Sequence, residues 1–246
     1  MPRLAKRKLL VTRSADDAGD WADALAAEGA TPIVFPCIRS EPSDDPTLAG
    51  ELAAALATAD WLIFTSRRGV AALTDLVGTE CPPSTRLAVV GEATATQVRE
   101  RFGRVDLIGS GTARDLGCTL AEDPSVRAGA RCVLALAANA SAALEDRLTA
   151  AGAKVHRFDV YRTIPATPLV PKRPLSGFGC DSVIFASPTA VEGFANQVDV
   201  DTAAHFVTIG PSTSAAVRGH DWEVSAEANE PNLAGIIESL LETLHV

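Results

Sequence analysis

The chain has 246 residues, 47% of them hydrophobic and 22% charged, the composition of a globular protein and the length of one or two domains, which excludes a small stapled scaffold and any low-complexity or collagen-like chain. Against 31 Asp and Glu stand 22 Lys and Arg, a net charge of -9 and a pI near 4.9, so the basic footprint of a nucleic-acid binder is missing. Nowhere does the sequence show a run of about 18 apolar residues, and no membrane-spanning helix is expected.

The opening stretch to Arg13 is basic, but its apolar part, Leu9-Leu10-Val11, is too short for the core of a signal peptide and reads as a first strand. Ser14 followed by Asp17 makes a capping-box-like helix start, Trp21 and Leu25 share one face four residues apart, and Gly29 is the stop. Ile33-Val34-Phe35, Leu62-Ile63-Phe64, residues 87–90 and 105–108 are further short apolar runs bounded by turn or cap residues, the pattern of strands buried on both faces. Gly109-Ser110-Gly111-Thr112 lacks the third glycine and the lysine of a phosphate loop; Thr112 as a helix cap with Asp115 is the better reading. Strands alternating with helical stretches predict an α/β fold with parallel sheets and helices on both sides.

Cysteines stand at 37, 81, 118, 132 and 180, an odd number without a C-x-x-C pair, which suggests neither a disulfide framework nor a zinc site. Free thiols imply a reducing compartment and a soluble, cytoplasmic protein. The histidines at 156, 205, 220 and 245 show no ligand spacing, and neither a nucleophile elbow nor a nucleotide-binding loop occurs. No metal and no nucleotide cofactor are expected.

The chain also repeats itself. Residues 23–40 match 146–163 with an offset of 123, residues 60–70 match 181–191 with an offset of 121, and residues 90–99 match 209–218 with an offset of 119. Three blocks in the same order and near-constant register mark two similar units.

In open parallel sheets, ligands bind beyond the carboxyl ends of the strands, where helices begin with unpaired N–H groups and a positive dipole end. Small hydroxyl or glycine residues recur there: Thr12 and Ser14, Ser66, Gly91 and Thr94, Asn139 and Ser141, Ser187, and Ser212 and Thr213 after Ile209-Gly210. For each alone a plain helix cap is the alternative. Together, on both units, they would line a cleft able to take a ligand with several anionic groups. Arg13, Arg67 and Arg68 add cations nearby, with solvated surface arginines as the other reading. Backbone donors carry no formal charge, and distant carboxylates are screened beyond about 8 Å, so the acidic balance does not forbid an anionic ligand. Tyr161, the only tyrosine, closes a repeat block opposite Ile38 of the first half, and an amphipathic residue at a domain edge is its bland reading.

Val11-Thr12-Arg13, Ile63-Phe64-Thr65-Ser66, Val90-Gly91-Glu92-Ala93-Thr94, Val160-Tyr161-Arg162, Ile184-Phe185-Ala186-Ser187-Pro188 and Ile209-Gly210-Pro211-Ser212-Thr213 together resemble the uroporphyrinogen-III synthase family over nearly the whole chain. The resemblance implies two flavodoxin-like or Rossmann-like parallel-sheet domains, joined by a two-stranded connection, with the active-site cleft between them. It places one discontinuous domain at 1–36 and 166–246, an inserted one at 41–160, and the connection at 37–40 and 161–165, whereas a cut at the repeat boundary near Glu122 would divide the chain differently.

The implied reaction cyclises the linear tetrapyrrole hydroxymethylbilane, with inversion of its last ring and loss of water, in heme, siroheme or cobalamin biosynthesis. The substrate is a small polycarboxylate with eight acetate and propionate groups, the enzyme a cofactor-free monomer. By the same resemblance Tyr161 is the proton donor to the departing hydroxyl. Thr94 and Thr213 bind substrate, with Thr12, Arg13, Ser66, Arg67, Gly91, Ser187, Thr189, Gly210 and Ser212 as further contacts. Residues 136–141 depart from a family segment often filled by glycine and arginine, and Arg68 stands where asparagine is common. A non-catalytic tetrapyrrole-binding protein of the same fold, or a binder of another small anion, are the alternatives.

Overall fold

A computed structural model describes residues 3–243, the side chain of Asp16 excepted; His245 lies outside the described residues. The chain opens with β1 (Lys8–Val11), α1 (Ala15–Ala27) and β2 (Thr31–Val34). Next come β3 (Ile38–Pro42), α2 (Leu48–Leu56), β4 (Trp61–Phe64), α3 (Arg67–Val77), β5 (Arg86–Val89), α4 (Glu92–Phe102) and β6 (Leu107–Ile108). They are followed by α5 (Ala113–Glu122), α6 (Pro124–Arg127), β7 (Arg131–Ala137), α7 (Ala143–Ala150) and β8 (Lys154–Pro165). The last stretch holds β9 (Arg173–Pro174), β10 (Ser182–Phe185), α8 (Pro188–Gln197), β11 (Val198–Asp199), β12 (His205–Thr208), α9 (Pro211–Gly219), β13 (Val224–Glu227) and α10 (Leu233–Thr243). By its contacts the chain divides into two compact units, one holding it up to Arg39 and again from Ile164, the other holding Ser40–Thr163.

The first unit has a parallel sheet in the order β13-β12-β10-β1-β2. Alternation along its strands sends Leu9, Val11, Ile184 and Val207 to one face, against Trp21 and Leu25 of α1 and Ile236 and Leu240 of α10. Leu10, Val183, Phe185 and Phe206 go to the other, against Val191 and Phe194 of α8 and Val217 of α9. Each such side chain contributes about 1.5–3 kcal/mol on full burial. The expectation of strands buried on both faces fails for β2, whose Val34 is 44% exposed: it is the edge strand, with a neighbour on one side only.

The second unit has the order β3-β8-β7-β4-β5-β6, parallel from β8 to β6. Leu62, Phe64, Leu87, Val89 and Val133 meet α2, α3 and α4 on one face. Ile63, Ala88, Cys132, Leu134 and Leu136 meet α5, α6 and α7 on the other. Strand β6 is shorter than its apolar run because the Asp106 carboxylate accepts the Leu87 N–H at 2.7 Å, so the ladder with β5 begins only at Leu107.

The repeat blocks now have a spatial meaning. The order β2-β1-β10-β12-β13 in the first unit corresponds to β8-β7-β4-β5-β6 in the second; in chain order the first is the flavodoxin-like 2-1-3-4-5 and the second its circular permutation, 5-4-1-2-3. Each unit therefore takes one strand-helix-strand piece from one half of the chain and its other strands from the opposite half. In each, strand order reverses at one point, between β1 and β10 and between β7 and β4 respectively. Such a reversal opens a crevice at the strands' carboxyl ends.

Candidate active site

In the second unit the crevice lies beyond β4 and β7. Ser66, extended at φ -158° and ψ 155°, caps α3 by accepting the Gly69 N–H at 3.0 Å. Its Oγ also lies 2.9 Å from the Tyr161 hydroxyl. Tyr161 reaches that place through a bulge: Leu136 pairs with Asp159, but Ala137 pairs with Tyr161, so Val160 is the extra residue on β8. A bulge re-aims the side chain beside it, and Val160 and Tyr161 consequently enter the same core cluster although they are neighbours in sequence. Tyr161 is 8% exposed. Arg67 and Arg68 occupy the first turn of α3 and are half-buried.

After β5, Gly91 is the N-cap of α4 and supplies no side-chain acceptor to the first turn. Thr94, 4% exposed, follows in that turn. The motif at 109–112 settles as a cap: Thr112 accepts the Asp115 N–H at 3.1 Å and donates to its carboxylate at 2.7 Å. After β7, Asn139 donates to the Thr163 carbonyl at 3.4 Å and Ser141 accepts from Ala143 N. There the backbone presents carbonyls, those of Ala137, Ala138 and Ala140, all taken by Arg157 Nη2 at 3.2–3.3 Å. This strand end is an acceptor surface held by a cation of its own unit.

In the first unit Thr12 is fully buried and donates to Ile184 O at 2.7 Å, tying β1 to β10 at the crevice; its proton serves the sheet. Ser14 is the N-cap of α1 without a side-chain cap bond, and its hydroxyl donates to the Asp17 carboxylate at 3.1 Å. Arg13 lies 4.6 Å above the Trp21 ring and 3.9 Å from Asp17. Ser187 caps α8 through the Ala190 N–H at 3.2 Å, with half-buried Thr189 in the same turn. Gly210 is the N-cap of α9, again without a side-chain acceptor. Ser212 is exposed and Thr213 buried to 1%, and the Thr213 Oγ1 has no hydrogen-bond partner. Its neighbour Ser214, equally buried, bonds Thr208 and Glu227.

Each unit thus presents one serine-capped helix and one Gly-x-x-Thr helix start at its strand ends, both carrying positive dipole character. Sequence reasoning passed over Gly69, whose added Cβ would stand 2.7 Å from Ala135 O, and Arg157; a glycine three residues after a capping serine was the available signal for the first. Among the described residues no group of three or more His, Cys, Asp or Glu could hold a metal ion, and no helix is long and apolar enough to cross a membrane.

Residues 19–238 match the family model described as uroporphyrinogen-III synthase HemD. A uroporphyrinogen-III synthase of Synechococcus elongatus is 26% identical, over 95% of this chain and 94% of that one. The porphyrin biosynthesis protein HemD of Ruminiclostridium josui is 25% identical, over 96% of this chain and 48% of that one. A provisionally named uroporphyrinogen-III synthase of Methanocaldococcus jannaschii is 33% identical over 100 residues, 39% of each chain. The matches thus span less than half the length of the last two relatives. Among solved structures, uroporphyrinogen-III synthetase from Helicobacter pylori has a TM-score of 0.59 at 15% identity, covering 96% of this chain and 99% of that one. A mutant uroporphyrinogen III synthase from Thermus thermophilus has a TM-score of 0.55 at 18% identity, covering 97% and 99%. These structural likenesses bear on the fold.

Proposed function

The chain belongs to the uroporphyrinogen-III synthase family, and from that premise we propose that it cyclises hydroxymethylbilane to uroporphyrinogen III, inverting the last pyrrole ring and releasing water. The observation that carries the reading is the Gly-x-x-Thr helix start repeated in both units, with first-turn amides lacking side-chain acceptors and a buried Thr213 hydroxyl without a partner. A buried hydroxyl left unsatisfied costs about 1–3 kcal/mol, a cost that an anionic ligand accepting from Thr213 would remove. Polycarboxylate binding by such amides needs no net positive charge.

Tyr161 is the proton donor. The hydroxymethyl C–O bond breaks with its electron pair on oxygen, which takes the Tyr161 proton and leaves as water, while the pyrrole nitrogen supplies electrons to the carbon. The substituted carbon of the last ring then attacks, and the spiro intermediate reopens and recloses; the proton lost on rearomatisation balances the one Tyr161 gave. Since pyrroles supply the electrons, no metal or organic cofactor is required. Thr94 and Thr213 bind carboxylates, with Gly91, Gly210, Ser187, Thr189, Ser212, Arg13 and Arg67 beside them. Ring closure without inversion proceeds unaided, so the enzyme's task is to hold the chain with the less accessible carbon in attacking position. We place the protein in the cytoplasm, on its free thiols, as a monomer with no nucleic-acid partner.

One observation favours a second reading, a tetrapyrrole-binding protein without activity: the strand end after β7 turns the carbonyls of Ala137, Ala138 and Ala140 to Arg157. Incubation with hydroxymethylbilane and separation of product isomers decides. Isomer III above the spontaneous background is expected; isomer I alone, at the unaided rate, overturns the enzymatic reading.

A further inference from the structure

Ser66 stands between a helix N-terminus and the phenol of Tyr161. Its Oγ accepts the Gly69 N–H at 3.0 Å and lies 2.9 Å from the Tyr161 oxygen, a pair in which either hydroxyl can donate; once the Tyr161 proton is directed to substrate, the Ser66 proton is the one that bridges them. From this geometry we infer that Gly69 and Ser66 form a hydrogen-bond relay that polarises Tyr161, making Ser66 a positioning residue that acts through the tyrosine rather than on substrate. The inference rests on the reading of Tyr161 as proton donor.

When Tyr161 gives up its proton, its O–H bond breaks and the pair stays on the phenolic oxygen. The proton goes to the departing hydroxyl, which leaves with the C–O pair as water. Ser66 keeps its own proton and donates a hydrogen bond to the phenolate. Behind it stand the Gly69 amide and the positive end of α3, an arrangement that stabilises negative charge and strengthens along the chain of bonds. Charge-assisted hydrogen bonds are the strong ones, so the relay acts more on the phenolate than on the phenol.

The duplicated half is an internal comparison. Ser187 caps α8 in the same way through Ala190, but the repeat puts Ile38 where Tyr161 stands and Ala190 where Gly69 stands. A cap alone therefore needs no glycine. In the second unit any Cβ at residue 69 would meet the Ala135 carbonyl of β7 at 2.7 Å, so only glycine lets the first turn of α3 lie this close to β7. That approach brings Ser66 to the Tyr161 hydroxyl on the adjacent strand β8. The glycine occurs in the half that carries the tyrosine.

Because the chain has one tyrosine, phenolate absorbance during alkaline titration reads Tyr161 directly and without substrate. The charged groups on the elements around it are Arg67, Arg68 and Asp75 on α3, Arg131 on β7, Lys154, Arg157, Asp159 and Arg162 on β8 and Arg39 and Glu41 on β3, with Arg157–Asp159 at 2.8 Å and Arg162–Glu41 at 3.0 Å. All are shared by the wild type and its variants, so the difference between titrations isolates the hydrogen bond. Ser66→Ala is expected to raise the Tyr161 midpoint by about one pH unit and to lower turnover to isomer III roughly three- to tenfold with KM unchanged. Ser66→Thr restores both. Thr112→Ala, which removes the comparable cap of α5, moves neither. Should Ser66→Ala fail to fold, Ser66→Gly removes the hydroxyl at a cap cost of only a few tenths of a kcal/mol and gives the same comparison. An unmoved midpoint in the hydroxyl-free variant, or an equal shift in Thr112→Ala, overturns the relay. A wild type yielding only isomer I would overturn the catalytic reading instead, while the titration still decides the hydrogen bond.

Discussion

Thr213 and Ser214 are consecutive, lie in the first turn of α9 and are both buried, yet of their two hydroxyls only that of Ser214 has hydrogen-bond partners. Replacing a satisfied buried hydroxyl strands its partners, whereas replacing an unsatisfied one by an isosteric methyl leaves nothing stranded. Thr213→Val is therefore expected to keep the urea midpoint of the wild type within about 0.5 kcal/mol while lowering kcat/KM for hydroxymethylbilane at least about tenfold, the worth of one hydrogen bond to a charged group. Ser214→Ala should show the reverse pattern, with lost stability and a smaller kinetic effect. A stability loss in Thr213→Val equal to that in Ser214→Ala would remove Thr213 from the binding residues.

The strands and several caps were legible because local patterns determine them: Leu62-Ile63-Phe64 can hardly be anything but a buried strand, and Thr112 with Asp115 announced its cap. What the duplication concealed was pairing. Ile63 and Ile184 belong to matched blocks, so Val11 had two chemically similar strands to lie beside, and contact with Ile184 follows from tertiary packing. The placement of Tyr161 was hidden for another reason. Strict alternation would turn it away from Val160, and only the bulge at Val160 brings both to one face. Asn139 and Ser141 looked like strand-end donors, but Asn139 Nδ2 donates to the Thr163 carbonyl, a partner supplied by β8, and Ser141 Oγ accepts from Ala143 N.

The Asp123 carboxylate sits at the N-cap of α6, where Arg86 approaches it at 2.8 and 3.0 Å and Ser125 donates both N–H and hydroxyl. These bonds, those from Arg86 foremost, lower its pKa from 3.8 to about 2. A carboxyl depressed in this way adds stability above its unfolded pKa and loses it as pH falls through the folded value. With the Arg86 side chain 40% exposed, solvent screening leaves about 1 kcal/mol. Asp123→Asn should unfold at lower urea than the wild type from neutral pH to about pH 4, with the gap closing between about pH 4 and pH 2. A gap that stays constant down to pH 2 would assign the effect to packing rather than charge.

Helix α8 lies directly on the segment that leaves β2. A methyl at Gly193 would overlap the Cys37 carbonyl oxygen, which already accepts Ala166 N–H at 2.8 Å, and Gln197 Nε2 reaches Pro36 O at 3.3 Å. Obstruction by backbone cannot be relieved by a rotamer change, so Gly193→Ala should cost about 3 kcal/mol, read as a lowered thermal midpoint. Gly50, inside α2 with nothing within 4 Å of an added Cβ, is the contrast: Gly50→Ala should gain about 0.5 kcal/mol from helix propensity. Equal effects at the two sites would refute the close approach.

Thiol chemistry separates the five free cysteines by environment. Burial pushes the Cys37 thiol far up. Burial first, then the Asp60 and Asp123 carboxylates, pushes Cys132 up to about 12, and burial also raises Cys180. The thiolate is the reacting species, so at mildly alkaline pH these three should resist a disulfide reagent. Cys118, with Arg147 Nη2 3.2 Å from its sulfur, and Cys81 are both partly exposed. Native protein should therefore react quickly at Cys118 and Cys81, more slowly at Cys180, and at Cys37 and Cys132 only once denaturant is added. Cys118→Ser and Cys81→Ser should each remove one thiol from the fast phase; a fast phase of undiminished amplitude in either variant would show that exposure does not set the order of reaction.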